Sequence, residues 1–599
     1  MREPEISAFI VPQLPSRLAY FVLVGILAMS PASATQTASK AAARSAEQSA
    51  LQRGQEALKN GDIAGARSEF EKAVRLAPND PVAQAALGWV LAQQGEADEA
   101  VKHLRAALKV KSGLVEARLT LAGVLTQQGK TAEAEQEART AIKLAPQNAE
   151  AHRTLGRILS QQSGAEALSE LRRAVELAPE RADLRDDLGN LLAQQNRFAD
   201  AEVAFKDALR LQPNLEAAHF HLGAVYWEQK QLGGASDELQ RALNLAPRDA
   251  VAHYYMAKVL SAESKHADAL EELRKAAALK PDWFELQIEL GLASQRAGDA
   301  DAAVAAFDQA VKLRPQDAEA FNDLGLALIQ KGDAESSIEK FQTATKLRPE
   351  DGTLRGNLGM AFMQRADFEA AIAELQAAIN LAPDNASLHY NLGLAYKLKD
   401  QLDKAVPEFQ NAIRLQPDLA DAHYTLGILF WQRGEFDQAT EELKLALQSK
   451  PDYAEAHYTL GTVYKQQGKL PEAAAELREA IRLQPDFGGA HTTLAGVLRQ
   501  LGDTQGAAEE AKEGAKIASS ASNLQAARVS TNSGKRLLAA GDLDGAISQF
   551  RSAIHSEPNY AAAHYELGLA LQQSGKKDEA KQEFQKASEL DPHMRRPAQ

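Results

Sequence analysis

Residues 420–453 read ADAHYTLGILFWQRGEFDQATEELKLALQSKPDY, and residues 454–487 repeat the same landmarks at the same spacing. Each copy carries an Ala-His-Tyr-Thr-Leu-Gly block, a Gly in its middle, two Ala residues seven positions apart and a closing Pro. A fixed period of this kind predicts an array of similar structural units, so the period decides the fold before any other feature does.

The closing Pro marks the same period along most of the chain. Its spacing is mostly 34 residues, at positions 78, 146, 179, 213, 247, 281, 315, 349, 383, 417, 451, 485, 558 and 592. Ser112 stands where one Pro would be, and the turn near Ser163 is one residue short. Between Pro485 and Pro558 lie a degenerate repeat without a closing Pro and five extra residues. This accounting predicts sixteen repeats.

Each repeat contains two segments with helical spacing. Leu426, Leu429 and Phe430 follow a helical period before Gly434, and a second apolar set follows that glycine. Gly434 permits a tight turn, and Pro451 ends the second helix. Helices of about a dozen residues are marginal in isolation, so neighbouring helices must stack to be stable.

Small residues recur where the two helices are expected to meet. Gly occupies one position in thirteen repeats and Ala in three, and two further positions are Ala in all copies except Ser337 and Gly514. A large apolar residue lies between those two Ala positions, often Phe, as at 205, 307, 341, 409, 550 and 584. This pattern predicts close helix packing, with the large side chain filling the groove between the helices.

Composition narrows the function classes. The 599 residues are poor in aromatic side chains, rich in Ala, Glu, Gln, Leu and Lys and without long β-branched runs, which favours an all-α protein. The absence of Cys excludes disulfides and thiolate metal sites. The formal net charge of −14 gives the chain no electrostatic footprint for phosphate backbones, so nucleic acid is not expected as a partner.

The N-terminus predicts export. Arg17 precedes an apolar run at residues 18–29, and Ala32-Ser33-Ala34 supplies small residues where a signal peptidase would cut. Residues 1–34 are therefore predicted to be a signal peptide, with a periplasmic or cell-envelope destination, and residues 35–46 a polar lead. The alternative is that the segment is not cleaved and anchors the chain, and only in that case is a membrane expected as a partner. The apolar run is, however, shorter than the ~20 residues of a membrane span.

No catalytic motif was found. Gly129-Lys130-Thr131 has its upstream glycine, Gly123, one residue too far away for a phosphate-binding loop, and no dinucleotide fingerprint or nucleophile elbow is present. Acidic residues are expected on solvated helix faces. The sequence predicts a protein that is not an enzyme and has no cofactor.

Eight histidines share one position in their repeats: His152, His219, His253, His389, His423, His457, His491 and His564. Equivalent positions in successive repeats lie about 8–10 Å apart, too far for two imidazoles to bind one metal ion. These histidines are therefore interpreted as structural, and no metal site is predicted.

The repeat resembles that of the tetratricopeptide-repeat (TPR) family, whose 34-residue signature is matched by Leu426-Gly427, Ala439, Leu443, Ala446 and Pro451. The resemblance covers about residues 47–592. It implies an all-α, right-handed α-solenoid, a superhelix of helix-turn-helix repeats, whose first helices line a concave groove.

The resemblance also implies which side chains line that groove and bind a protein or peptide partner. These are Phe220, Trp227, Tyr254, Lys258, Arg296, Asn322, Asn357, Met360, Tyr390, Asn391, Lys397, Tyr424, Trp431, Tyr458 and Lys465. Aromatic anchors with interspersed cations suit a peptide groove, and the asparagines can bond an extended backbone. The alternative is that the aromatic residues pack against neighbouring repeats.

The domain prediction has four parts after the lead. A long array of about fourteen repeats spans residues 47–519, a hinge lies at 520–528, a terminal pair of repeats spans 529–592, and 593–599 form a tail. The alternative to the hinge is a degenerate repeat that stacks without interruption. Pro407 is expected to kink its helix, whereas Pro471 falls at a helix start and is harmless.

The last repeat has little chain after it to serve as a polar cap. The face of its last helix, including Phe584 and Leu590, is therefore predicted to be covered by self-association or by a partner.

Three functions remain open at this point. The first is an exported scaffold that binds a protein segment and assembles partners in the cell envelope. The second is a targeting subunit of a glycosyltransferase-type enzyme, since the family also precedes such domains. The third is a structural scaffold in polysaccharide or protein export.

Overall fold

The computed structural model describes residues 38–160, 162–592 and 594, and every regular element in them is an α-helix. This confirms the all-α prediction. The predicted signal peptide at residues 1–34 lies outside the described residues, as do residues 593 and 595–599 of the predicted tail. None of the described helices combines the length and the apolar character that a membrane span requires.

Helices alternate in pairs that follow the sixteen predicted repeats, numbered here 1 to 16 in chain order. The first helices of repeats 1 to 14 and of repeat 16 are Ala38–Lys59, Pro81–Gln93, Val115–Gln127, Ala149–Leu159, Ala182–Gln194, Glu216–Glu228, Ala250–Ala262, Phe284–Arg296, Ala318–Lys331, Gly352–Gln364, Ala386–Leu398, Ala420–Gln432, Ala454–Gln466, Gly488–Leu501 and Ala561–Gln573. The first of them begins inside the predicted polar lead.

The second helices have the same regular length. Those of repeats 1 to 13, 15 and 16 are Ile63–Leu76, Ala97–Val110, Thr131–Leu144, Gly164–Leu177, Phe198–Leu211, Leu232–Leu245, His266–Leu279, Ala300–Leu313, Ala334–Leu347, Phe368–Leu381, Leu402–Leu415, Phe436–Ser449, Leu470–Leu483, Leu543–Ser556 and Lys577–Leu590. One helix, Thr504–Ala539, serves both as the second helix of repeat 14 and as the first helix of repeat 15.

The chain divides into two units, one up to Pro315 and one from Gln316. In each unit the two helices of a repeat pack against each other, and each second helix packs on the first helix of the next repeat. Among the described residues, neighbouring first helices contact one another more than neighbouring second helices do. Each unit is therefore an α-solenoid with its first helices on the inner side. The predicted limits of the long array and the terminal pair remain predictions.

Close packing of the two helices depends on the predicted small residues. A Cβ added at Gly325 would lie 2.6 Å from the ring of Phe341, and one at Gly427 would lie 2.8 Å from Leu443. Phe341 and Leu443 are fully buried. The Gly therefore sets the helix separation, and the large residue sixteen positions later fills the space, as the sequence predicted.

The turn between the paired helices requires a left-handed residue. Gly434 has a φ of +78°, and ten repeats have Gly in this conformation at the equivalent position. Five others have non-glycine residues there, at Asn196, Lys230, Ser264, Ala366 and Asp400, with φ from 57° to 62°. The sequence prediction for Gly434 is confirmed, and these five repeats form the same turn at a conformational cost.

The predicted hinge falls inside the helix Thr504–Ala539, and residues 518–523 at its middle are all exposed. The segment is thus helical, whereas its role as a point of movement remains a prediction. The helix Leu402–Leu415 continues through Pro407, and Pro471 lies in the first turn of Leu470–Leu483 as expected.

The face predicted to need a cover at the C-terminus is partly corrected by the structure. Phe584 is only 4% exposed, because its ring packs within repeat 16 against Gly568 and Tyr565. Phe584 therefore needs no second molecule to cover it. Self-association remains a prediction that rests on the rest of this helix.

Gly325→Ala should destabilise the protein by about 1–3 kcal/mol, because the new methyl group overlaps the buried Phe341 ring. Adding Phe341→Leu should recover part of the loss, since Ala257 and Leu273 already pack at the same two positions of repeat 7. Thermal unfolding followed by circular dichroism measures both effects. Gly233→Ala is the control, since a Cβ there meets nothing within 4 Å; a loss as large as that of Gly325→Ala would contradict the packing explanation.

Ala366→Gly should raise stability by about 1 kcal/mol, because Ala366 has a φ of +61° and glycine adopts that conformation without steric cost. Ala297 precedes the turn glycine of repeat 8 with a φ of −78°, so Ala297→Gly should lower stability. Opposite shifts of the melting temperature are expected. A fall in both variants would show that the left-handed turn residue is not strained.

Candidate partner-binding surface

All fifteen predicted groove residues lie on first helices, but their exposure differs. Tyr254 is buried and Arg296 is exposed, whereas the other thirteen are half-buried. Those between 220 and 296 belong to the first unit and those between 322 and 465 belong to the second. The two groups are therefore described separately.

In the first unit, the aromatic residues of repeats 6 and 7 pack on one another. The rings of Phe220 and Tyr255 lie edge to face at 5.5 Å, and the ammonium group of Lys258 lies 5.1 Å from the Trp227 ring and 5.6 Å from that of Tyr255. The ammonium group of Lys230, in the turn that follows the helix of Trp227, also lies 5.1 Å from the Trp227 ring. Cation–π contacts thus occupy the cationic groups of this cluster.

Tyr254 offers almost no surface to a ligand, since only 3% of it is exposed. Its ring packs 4.7 Å from that of Trp283, and burial raises the pKa of its hydroxyl. For this residue the structure matches the alternative that the aromatic side chain packs against the neighbouring repeat. Arg296 lies apart, where its Nε donates to the Leu292 carbonyl of its own helix at 3.2 Å.

The contact of Tyr254 with Trp283 recurs elsewhere in the chain. The ring of Tyr424 lies 4.8 Å from that of Tyr453, and Tyr458 lies 4.8 Å from Phe487. In all three pairs the partner follows 29 residues later, at the start of the next repeat. An aromatic residue at this spacing is a signal in the sequence for an inter-repeat contact, and the sequence analysis missed it.

Repeats 11 to 13 of the second unit keep a regular set of half-buried side chains, named here the tyrosine face. It consists of Tyr390, Tyr424 and Tyr458, with Lys397, Trp431 and Lys465 two helical turns further along the same helices. Burial raises the pKa values of Tyr390 and Tyr424 and lowers that of Lys397. Trp431 donates its indole N–H to Gln466 at 2.7 Å. These six predicted residues thus lie on three consecutive first helices of the second unit.

The asparagines near this face are partly engaged with the protein itself. Asn357 of repeat 10 donates its side-chain amide to the Oδ1 of Asn322 in the preceding repeat, at 2.7 Å. Beside them, burial raises the pKa of Asp323 to about 6. Met360 is half-buried on the helix that carries Asn357, and Asn391 is half-buried on the helix that carries Tyr390.

No group of three or more His, Cys, Asp or Glu side chains in the described part of the chain is arranged to hold a metal ion. The eight histidines each contact a carboxylate and a backbone carbonyl. Their glutamate partners contact them across the helix pair and are largely buried, unlike the acidic residues that the sequence predicts on solvated helix faces.

Three family models match the chain, one described as TPR repeat and two as Tetratricopeptide repeat. The first matches residues 189–230, 359–400, 398–434 and 429–468. The others match 51–113, 288–352 and 458–522, and 91–158 and 537–598. Together they cover more than half of the sequence. The chain belongs to the tetratricopeptide-repeat family, whose members are scaffolds for protein–protein interaction.

Solved structures of repeat proteins are similar to this chain at low identity. The Cut9–Hcn1 hetero-tetramer structure matches with 16% identity, 76% of this chain and 96% of that chain covered, and a TM-score of 0.35. Yeast Tom70 matches with 17% identity, the same coverages and a TM-score of 0.35. YrrB, a TPR protein with an unusual peptide-binding site, matches with 23% identity, 31% and 97% coverage and a TM-score of 0.27. No curated protein matches the sequence.

Proposed function

We propose that this chain is a non-enzymatic scaffold exported to the cell envelope, and that it binds a protein segment on the tyrosine face. The observation that carries the proposal is the regular placement of three tyrosines, one tryptophan and two lysines on three adjacent first helices. These side chains are half-buried, so each combines a fixed position with surface for a partner.

The spacing of the face suggests the form of the partner. Adjacent helices are separated by about 8–10 Å, and an extended peptide advances about 3.3 Å per residue. A segment that crosses the first helices would therefore place one anchor in each repeat with about every third residue. Apolar anchors would pack between the tyrosines and Trp431.

Lys397 adds a chemical preference. Its pKa is lowered by burial, which means that the ammonium group has lost part of its hydration. A carboxylate or carbonyl oxygen of the partner would replace that hydration. The favoured partner segment is thus extended, apolar at intervals, and supplies an acceptor group next to Lys397.

Tyr424→Ala combined with Trp431→Ala should reduce recovery of the partner by at least about tenfold, because each buried aromatic anchor contributes ~1.5–3 kcal/mol. The measurement is a crosslinked pull-down from envelope extract, with circular dichroism to check that helicity is unchanged. Leu445→Ala is the matched control, since it removes an exposed apolar side chain from a second helix. Equal recovery by the double variant and the control would eliminate the tyrosine face as the binding surface.

Export has its own test. The mature protein should begin at Thr35, since Ala32-Ser33-Ala34 precedes the expected cleavage site. N-terminal sequencing of protein purified from the envelope fraction measures this. A chain that retains residues 1–34 would contradict cleavage and support the anchor alternative. Turnover of a sugar nucleotide by the purified protein would overturn the non-enzymatic proposal.

A further inference from the structure

The eight histidines at the shared repeat position make the same two contacts. In each, Nδ1 lies 2.5–2.7 Å from a glutamate oxygen of the second helix in the same repeat. Nε2 lies 2.9–3.1 Å from the carbonyl oxygen of the closing Pro six residues earlier. We call this arrangement the histidine clamp.

Each clamp joins three parts of the solenoid. His423, for example, lies on the first helix of repeat 12, contacts Glu442 on the second helix, and contacts Pro417 at the end of repeat 11. Only 3% of His423 is exposed, so water does not replace these partners. The clamp therefore holds both the helix pair and the junction between repeats.

The partners determine how many protons the imidazole carries. A backbone carbonyl only accepts, so Nε2 must donate to it, and an ionised carboxylate also only accepts, so Nδ1 must donate as well. A neutral imidazole with its proton on Nε2 would direct a lone pair at the carboxylate. The complete clamp thus contains one proton more than a neutral histidine beside an ionised glutamate.

Arginines elsewhere in the chain support this assignment. Arg118 and Arg355 occupy the histidine position in repeats 3 and 10, and each donates both to a glutamate of the second helix and to the carbonyl that closes the preceding repeat. Arginine has only donors and is always charged. A permanently protonated side chain therefore makes both bonds of the clamp.

Two glutamines at this position lack the glutamate partner. Gln287 donates to the Pro281 carbonyl at 3.1 Å, and the residue nineteen positions after it is Ala306. Gln84 donates to the Pro78 carbonyl at 2.7 Å and accepts at 2.6 Å from His103, which replaces the glutamate. These two neutral side chains thus keep the bond to the carbonyl without a glutamate partner. In repeat 5, Arg185 also donates to the Pro179 carbonyl, with Ala204 at the glutamate position.

We propose that the histidine clamps of His423 and His457, in repeats 12 and 13, are proton-binding sites that are filled near neutral pH, and that they make this segment pH-sensitive. Loss of the proton leaves each imidazole with a single N–H, so either the carboxylate or the carbonyl then faces a lone pair. The packing of these repeats then loosens as pH rises.

All the charged side chains that face the four histidines of repeats 11 to 14 are glutamates, so their charges are negative. His389 faces Glu408 and His423 faces Glu442, whereas His457 faces Glu476 and Glu479, and His491 faces Glu510 and Glu513. Burial opposes protonation of His423 and His457, but the glutamate and the Pro carbonyl outweigh it and raise both pKa values. Stability from a raised histidine pKa is complete below about pH 6.5 and is lost as pH rises through the folded-state value.

The test compares His423→Arg combined with His457→Arg against the unchanged full-length protein. Thermal unfolding is followed at about pH 6 and about pH 8.5, on either side of the histidine range. The melting temperature of the unchanged protein should fall between the two conditions, and the arginine variant should lose less. The matched control, His266→Arg with His555→Arg, adds the same charges at exposed positions outside any clamp and should keep the full fall.

A second measurement does not depend on a variant. Nitrogen NMR of the protein labelled only in histidine should show the imidazoles of His423 and His457 with both ring nitrogens protonated at about pH 7. Neutral imidazoles at these two positions at that pH would overturn the proposal. So would an equal fall in melting temperature for the clamp variant and the unchanged protein.

Discussion

The contact between a first-helix glycine and a large second-helix side chain is the constraint on which the solenoid depends. Neither helix is long enough to be stable alone, so each repeat exists only through burial against its partner and its neighbours. The fully buried Phe or Leu occupies the space that a Cβ on the glycine would take. Repeat 3 uses another combination, with buried Ala122 opposite buried Ala138. The two positions together, and not the glycine alone, determine how closely the helices approach.

Polar and aromatic contacts add directionality to this apolar packing. Hydrophobic burial tolerates small shifts between repeats, whereas hydrogen bonds to a specific carbonyl and carboxylate do not. The histidine clamps and the aromatic pairs at a spacing of 29 residues both cross the junction between repeats. These contacts fix the backbone next to the tyrosine face, because His389, His423 and His457 each directly precede one of its tyrosines. Its side chains are therefore positioned from both the preceding and the following repeat.

Much of the fold could be predicted because the period appears many times in one sequence. The Gly and Ala landmarks, the turn at Gly434 and the ends of the helices near Pro451 all follow from local rules. The clamp was missed because a histidine and a glutamate nineteen residues apart gain meaning only when their repeats are aligned. The burial of Tyr254 was missed because exposure depends on Trp283, which belongs to the next repeat. For the candidate site, the sequence placed the predicted residues on first helices but could not separate exposed from packed aromatic residues.

The helix Thr504–Ala539 removes one inter-repeat turn, and this has a consequence for tolerance of insertions. Thirty-six residues span about 54 Å, and each residue advances a helix by about 100° of rotation. Elsewhere a change of one residue in a turn is absorbed locally, as repeat 4 shows with a connection that is one residue shorter. In this helix an added or deleted residue would turn repeats 15 and 16 by more than a quarter of a revolution relative to repeat 14. The number of residues in this helix thus sets the angle between repeat 14 and repeats 15 and 16. Its length is constrained for that reason, whereas the identity of its exposed side chains is not.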